Sequence, residues 1–182
     1  MMDEFSDAIA AFEPIQISEQ DDLEYLFMLG TSYGMVKRTD DSLRIFQRMV
    51  SAGGDTPHLH LLLGKSYLAL SQLDNAAVEL KRATENASLS FAHYYLGVLH
   101  RQQGRLDLAA TEFEKEIEIA PGNASAYKDL AEIRLDQSDV QGAVTVLEKG
   151  VERNPDAPEL LATLGRAYVQ VPAESRAINP AD

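Results

Sequence analysis

The stretch Leu96-Gly97-Val98-Leu99-His100-Arg101-Gln102-Gln103-Gly104-Arg105-Leu106-Asp107-Leu108-Ala109-Ala110-Thr111-Glu112-Phe113 decides how the rest of the chain is read. A leucine and a glycine lie inside an apolar segment of helical period, a Gln-Gly-Arg turn follows, and a second helical segment carries a small residue and then a bulky one. Outward from it the arrangement recurs. Leu29-Gly30, Leu63-Gly64, Leu96-Gly97, Leu130-Ala131 and Leu164-Gly165 are separated by 34, 33, 34 and 34 residues. Tyr33, Tyr67, His100, Arg134 and Tyr168 follow three residues after each. Ser42, Ala76, Ala109 and Ala143 come next, and then Phe46, Leu80, Phe113 and Leu147.

Each unit therefore reads as two helices, apolar at helical spacing from Leu23 to Val36 and again from Ser42 to Val50 in the first. Ser71-Gln72-Leu73-Asp74 and Gln137-Ser138-Asp139 separate helices elsewhere with side chains suited to capping. No useful length alternates with period two, so strands are not expected. The register gives residues 1–20 as a half unit with a second helix only, because Ala8 and Phe12 lie 34 before Ser42 and Phe46. Phe5 and Ile9 belong to the same segment. Full units follow at 21–56, 57–89, 90–123 and 124–157. A first helix alone occupies 158–170, and 171–182 reads as an irregular tail, since Pro172 lacks a backbone donor and disfavours helix at Val171.

Composition narrows the function. The chain has 182 residues, 45% of them hydrophobic, which suits one globular domain or one short repeat array. A formal net charge of -13 with no Lys/Arg cluster argues against nucleic acid and anionic membrane surfaces as partners. With no cysteine there is no disulfide framework, zinc-thiolate site, iron–sulfur cluster or cysteine nucleophile. No apolar run approaches the roughly 20 residues of a membrane span. No secretory signal is visible at Met1-Met2-Asp3-Glu4-Phe5, which favours a cytoplasmic location.

The 34-residue pattern resembles the tetratricopeptide repeat from Phe5 to Gln170, over four successive units in one register. The resemblance implies an all-α, right-handed superhelical solenoid of about ten helices in antiparallel pairs. It implies that Gly30 faces Ser42, Gly64 faces Ala76, Gly97 faces Ala109 and Ala131 faces Ala143 where paired helices cross. Glycine costs a helix roughly 1 kcal/mol against alanine, and close approach is the steric reason to keep it. The aromatic slot of the first helix holds Leu26, His60, His93, Tyr127 and Leu161, and Met49, Glu116 and Gly150 stand where the family has alanine.

Family geometry further implies a concave groove lined by first helices. It places Phe27, Thr31, His58, Leu61, Lys65, Phe91, Tyr94, Val98, Arg101, Lys128 and Glu132 on that face, where a protein or peptide segment would bind. Phe91 and Tyr94 either anchor such a partner or simply pack between helices. Phe27 and Thr31 stand where chaperone-binding members have a clamping Lys and Asn, which argues against a chaperone tail as ligand. His58, His60, His93 and His100 read as packing residues rather than metal ligands, and no cofactor is expected. The acidic run Glu112 to Glu118 reads as a solvated helix face rather than an acid–base pair. No catalytic constellation is present, so the expected role is an interaction scaffold, not an enzyme. The alternative is an accessory repeat region of a larger enzyme, with catalysis outside this chain. The apolar faces of the first and last half units leave self-association open.

Overall fold

The computed structural model describes residues 7, 9, 10 and 23–171. Phe5, Phe12 and the tail beyond Val171 lie outside the described residues. Among the described residues, nine helices follow one another from Leu23: α1 (Leu23–Met35), α2 (Thr39–Ser51), α3 (Pro57–Ala69), α4 (Leu73–Ala83), α5 (Ala92–Gln102), α6 (Leu106–Ile119), α7 (Ala124–Asp136), α8 (Val140–Arg153) and α9 (Pro158–Gln170). Asp7, Ile9 and Ala10 are also helical, and no strand occurs among the described residues. The chain divides into two compact units, Met1–Leu99 and His100–Asp182. In the first, α1 packs on α2, α2 on α3 and α3 on α4; in the second, α6 packs on α7, α7 on α8, and α9 on both α7 and α8.

The turns inside helix pairs repeat one backbone device. Lys37, Ser71, Gly104 and Ser138 have φ of 62, 58, 73 and 64°, in the left-handed region. The amide of the next residue then donates to a carbonyl five residues back: Arg38 to Tyr33 at 2.9 Å, Gln72 to Tyr67 at 2.9 Å, Arg105 to His100 at 2.8 Å and Asp139 to Arg134 at 2.8 Å. This is the Schellman arrangement, which satisfies carbonyls that a helix end leaves open. Capping by side chains, expected at these turns, is narrower than that. Only Asp139 does it, its carboxylate accepting from the Gly142 amide at 2.9 Å. Gln72 makes no such bond, and Ser71 and Ser138 serve as left-handed turn residues instead. Elsewhere Thr56 caps α3 by accepting from the Leu59 amide at 3.3 Å, just ahead of Pro57. Beside the α2 start, burial works to raise the Asp41 carboxyl, but the Arg38 and Arg44 guanidiniums outweigh it and hold it below the usual carboxylate value.

In the first unit, Leu26, Phe46, Met49, Leu59 and Leu63 form one core layer across α1, α2 and α3. Leu68, Ala76, Leu80, Ala92 and Leu99 form the next across α3, α4 and α5. Ile9 is buried against Leu29 and Tyr33. At Gly30 and Gly64 the tightest approach to the recurring glycine comes from the bulky residue of the partner helix. A methyl on Gly30 would fall 2.6 Å from the Phe46 ring, and one on Gly64 would fall 2.6 Å from Leu80. The glycine thus makes room for the bulky residue one turn beyond the small one. Ser42 does face Gly30, as expected, and donates to its carbonyl at 2.7 Å in a buried bond between helices.

In the second unit Phe113, Leu147 and Leu160 are fully buried. Gly150, out of pattern in the sequence, has a physical reason: a methyl there would lie 2.9 Å from Tyr127, the aromatic of α7. The acidic run of α6 is not uniformly solvated. Glu116 is fully buried and accepts from the buried Asn123 amide at 3.1 Å, whereas Glu112 pairs with Lys115 at 2.8 Å and Glu114 with Arg134 at 2.9 Å. The chain leaves α9 through Val171 in extended conformation, φ -63 and ψ 126, as a residue before proline should.

Candidate partner-binding groove

Within the first unit the sequence-predicted residues separate by what they touch. Phe27 on α1 and the exposed His58 on α3 bring their rings to 5.9 Å. Thr31 spends its hydroxyl proton on its own helix, towards the Phe27 carbonyl at 2.8 Å and the Met28 carbonyl at 3.0 Å. Leu61 does not line an accessible face. It is buried with Leu68, Ala76 and Leu80, because its side of α3 turns to α4. Val98 is half-buried on the same core. Phe91 remains 46% exposed at the head of α5, with φ of 70°, unusual for so bulky a residue. Its ring meets Tyr94 edge-on at 6.4 Å, and Tyr94 meets Tyr95 at 5.3 Å. The Lys65 ammonium lies 5.7 Å from the Tyr95 ring, within reach of a cation–π contact.

The first unit also holds a hollow of about 150 Å³ between α1, α2 and α3. Met35, Phe46 and Leu62 supply apolar wall, and Thr31, Gly34 and Lys65 also line it. Gly34 differs from Gly30. A methyl on it would meet only the Ser42 hydroxyl, at 3.4 Å, an ordinary contact. Glycine there weakens the helix by about 0.5–1 kcal/mol with no crowding to require it.

In the second unit Arg101, Lys128 and Glu132 do come together, around a carboxylate that the sequence reading passed over. The Arg101 guanidinium is 3.3 Å from Asp129 and 3.4 Å from Glu132, and the Lys128 ammonium is 3.5 Å from Asp129. Arg166 reaches Glu132 at 3.7 Å. Asp129 is 2% exposed, so its charge is held inside this cationic shell. Arg101 and Lys128 are therefore committed to carboxylates of their own chain.

The histidines take separate places. His60 is buried with Nδ1 at 2.5 Å from Glu79 and Nε2 at 2.5 Å from Asp55. Both ring nitrogens are engaged, which ties α3 to α4 and to the loop before α3. His58 lies tilted at 40° against Phe27, and His93 and His100 are half-buried in α5. No group of three His, Asp or Glu side chains among the described residues is placed to hold a metal. No described helix is long and apolar enough to cross a membrane. Gly34, Met35 and Tyr95 escaped the sequence reading. Gly34 had a signal: it breaks the register, since Leu68, Arg101, Leu135 and Val169 stand at the same place in later units.

Two family models, each described as tetratricopeptide repeat, match residues 61–124 and 100–167, together more than half of the chain. Tetratricopeptide repeat protein 33 of Xenopus laevis is 33% identical over 75 residues, which cover 41% of this chain and 29% of that protein. Among solved structures, MamA is similar with a TM-score of 0.74 at 24% identity, over 84% of this chain and 90% of that one. TTC0263, a thermophilic protein of the same repeat type from Thermus thermophilus, has a TM-score of 0.74 at 19% identity, over 92% of each chain. YrrB, described as a repeat protein with an unusual peptide-binding site, has a TM-score of 0.68 at 23% identity, over 88% of this chain and 83% of that one.

Proposed function

The chain is a tetratricopeptide repeat protein, a protein-interaction scaffold, and on that premise we propose that α1, α3 and the head of α5 hold an extended or helical segment of another protein. The observation that carries this is the aromatic set at the surface of the first unit. Phe91 is 46% exposed with Tyr94 edge-on against it, and Phe27 and His58 form a second aromatic pair. Such side chains give contact area at little entropic cost and often dominate partner surfaces. The peptide-binding site ascribed to YrrB supports the reading by likeness of fold. The net charge of -13 supports a protein over a polyanion as partner.

The family and fold are those of non-catalytic scaffolds, and we read this chain as one. Its residues match 29% of the length of the Xenopus laevis relative, so an accessory place beside a catalytic region is the alternative. The test takes a partner retained from a lysate and measures its affinity directly. Phe91→Ala and Tyr94→Ala should each weaken it at least tenfold, with about 2 kcal/mol lost per true anchor, while the thermal midpoint holds. If Tyr94→Ala unfolds the protein, Tyr94 is core. If both variants fold and bind as before, the groove reading fails.

A further inference from the structure

At position 34 the chain lacks the side chain that later units carry there, and the next of these, Leu68, is buried in the core. The hollow of about 150 Å³ borders that gap, and its apolar walls are Met35, Phe46 and Leu62. Cavities of that size take up a benzene-sized guest. Met35, 51% exposed, is a pliable wall that can close on guests of different shape. Lys65 is the charged residue of the lining, in a chain whose net charge is -13.

We propose that this hollow receives one leucine-sized apolar side chain of the partner segment, with an aspartate or glutamate adjacent in that segment set against Lys65. The inference rests on the groove reading above and names the residue pair it selects. A side-chain carboxylate fits better than a chain terminus. A terminal carboxylate drawn into the hollow would need several donors, and the Thr31 hydroxyl already donates to its own helix. A single exposed lysine suits a carboxylate that keeps most of its water.

The probe is acetyl-leucyl-aspartyl amide, blocked at both ends, followed through the methyl NMR signals of Met35 and Leu62. Saturable shifts with a Kd of about 1–10 mM are expected. The leucyl-asparaginyl amide should bind about two- to fivefold more weakly, and Lys65→Gln should erase that difference. Gly34→Leu should fill the hollow and abolish the shifts. Gly34→Ala, for which there is room, should weaken binding about threefold or more with a thermal midpoint unchanged or higher. Absence of saturation by about 50 mM probe, or shifts that survive Gly34→Leu, would overturn the proposal. So would equal binding of the two amides, or tighter binding of acetyl-leucine with its free carboxylate, which would assign the site to a chain terminus. A silent hollow with partner affinity still lost in Tyr94→Ala leaves the groove reading standing alone. A responsive hollow with partner affinity indifferent to Phe91→Ala and Tyr94→Ala removes the groove reading instead.

Discussion

Gly64 and Gly165 occupy the same place in the register, yet their surroundings give opposite expectations for the same substitution. A methyl on Gly64 would lie 2.6 Å from two atoms of Leu80, itself fully buried, so Leu80 or the α3–α4 spacing must shift. Gly64→Ala should destabilise by about 1–3 kcal/mol. Nothing lies within 4 Å of a methyl on Gly165, and Gly165→Ala should stabilise by up to about 1 kcal/mol through helix propensity alone. Urea denaturation with unchanged slopes reads both; equal midpoints for the two variants would show that crowding at Gly64 is not real. The sequence disclosed that these positions recur, because a glycine inside a helix needs a cause. It did not disclose which neighbour supplies the cause, since the glycine–small spacing and the glycine–bulky spacing recur together. In the same way Glu116 looked solvated among other glutamates, and only the Asn123 amide above it identifies a satisfied buried carboxylate.

At the scale of elements, helix pairs were legible because apolar residues recur at helical spacing on both sides of short polar turns. The turn geometry was legible only at Gly104. Lys37, Ser71 and Ser138 adopt the same left-handed backbone with side chains that give no hint of it. A non-glycine residue pays roughly 1–2 kcal/mol for that conformation. Ser71→Gly and Ser138→Gly should therefore each stabilise the protein by about 0.5–1 kcal/mol, the gain being offset by the greater freedom of glycine in the unfolded chain. The double variant should be close to additive, because the two turns share no partner. Thermal unfolding decides it: a fall in midpoint for either serine variant would mean that its hydroxyl contributes more than the backbone strain costs.

At the scale of the molecule, register placed the candidate groove residues on first helices, but it could not foresee charge compensation. Arg101 and Lys128 read as a cationic stripe, and the buried Asp129 between them, one residue after Lys128, cancels much of it. What register did expose is the apolar run along the last described helix. α9 buries Leu160, Thr163 and Ala167 against its own unit and leaves Leu161 50%, Tyr168 45% and Val169 77% exposed on the other side. Tyr168 keeps its hydroxyl on Glu148 at 2.6 Å, which fixes the ring in place as part of that face. In a stacked repeat array neighbouring helix pairs bury apolar side chains of this kind against one another. A second copy of the chain offers helices of the same ridge spacing, and contiguous apolar surface of this kind favours association. Sedimentation velocity should show a monomer–dimer or end-to-end equilibrium that grows with concentration into the high micromolar range. Leu161→Glu with Val169→Lys should return the protein to monomer with little change in thermal midpoint, because both side chains are already at the surface. A wild-type chain that stays strictly monomeric over that range would rule the association out, and the double variant would then differ from it only in solubility.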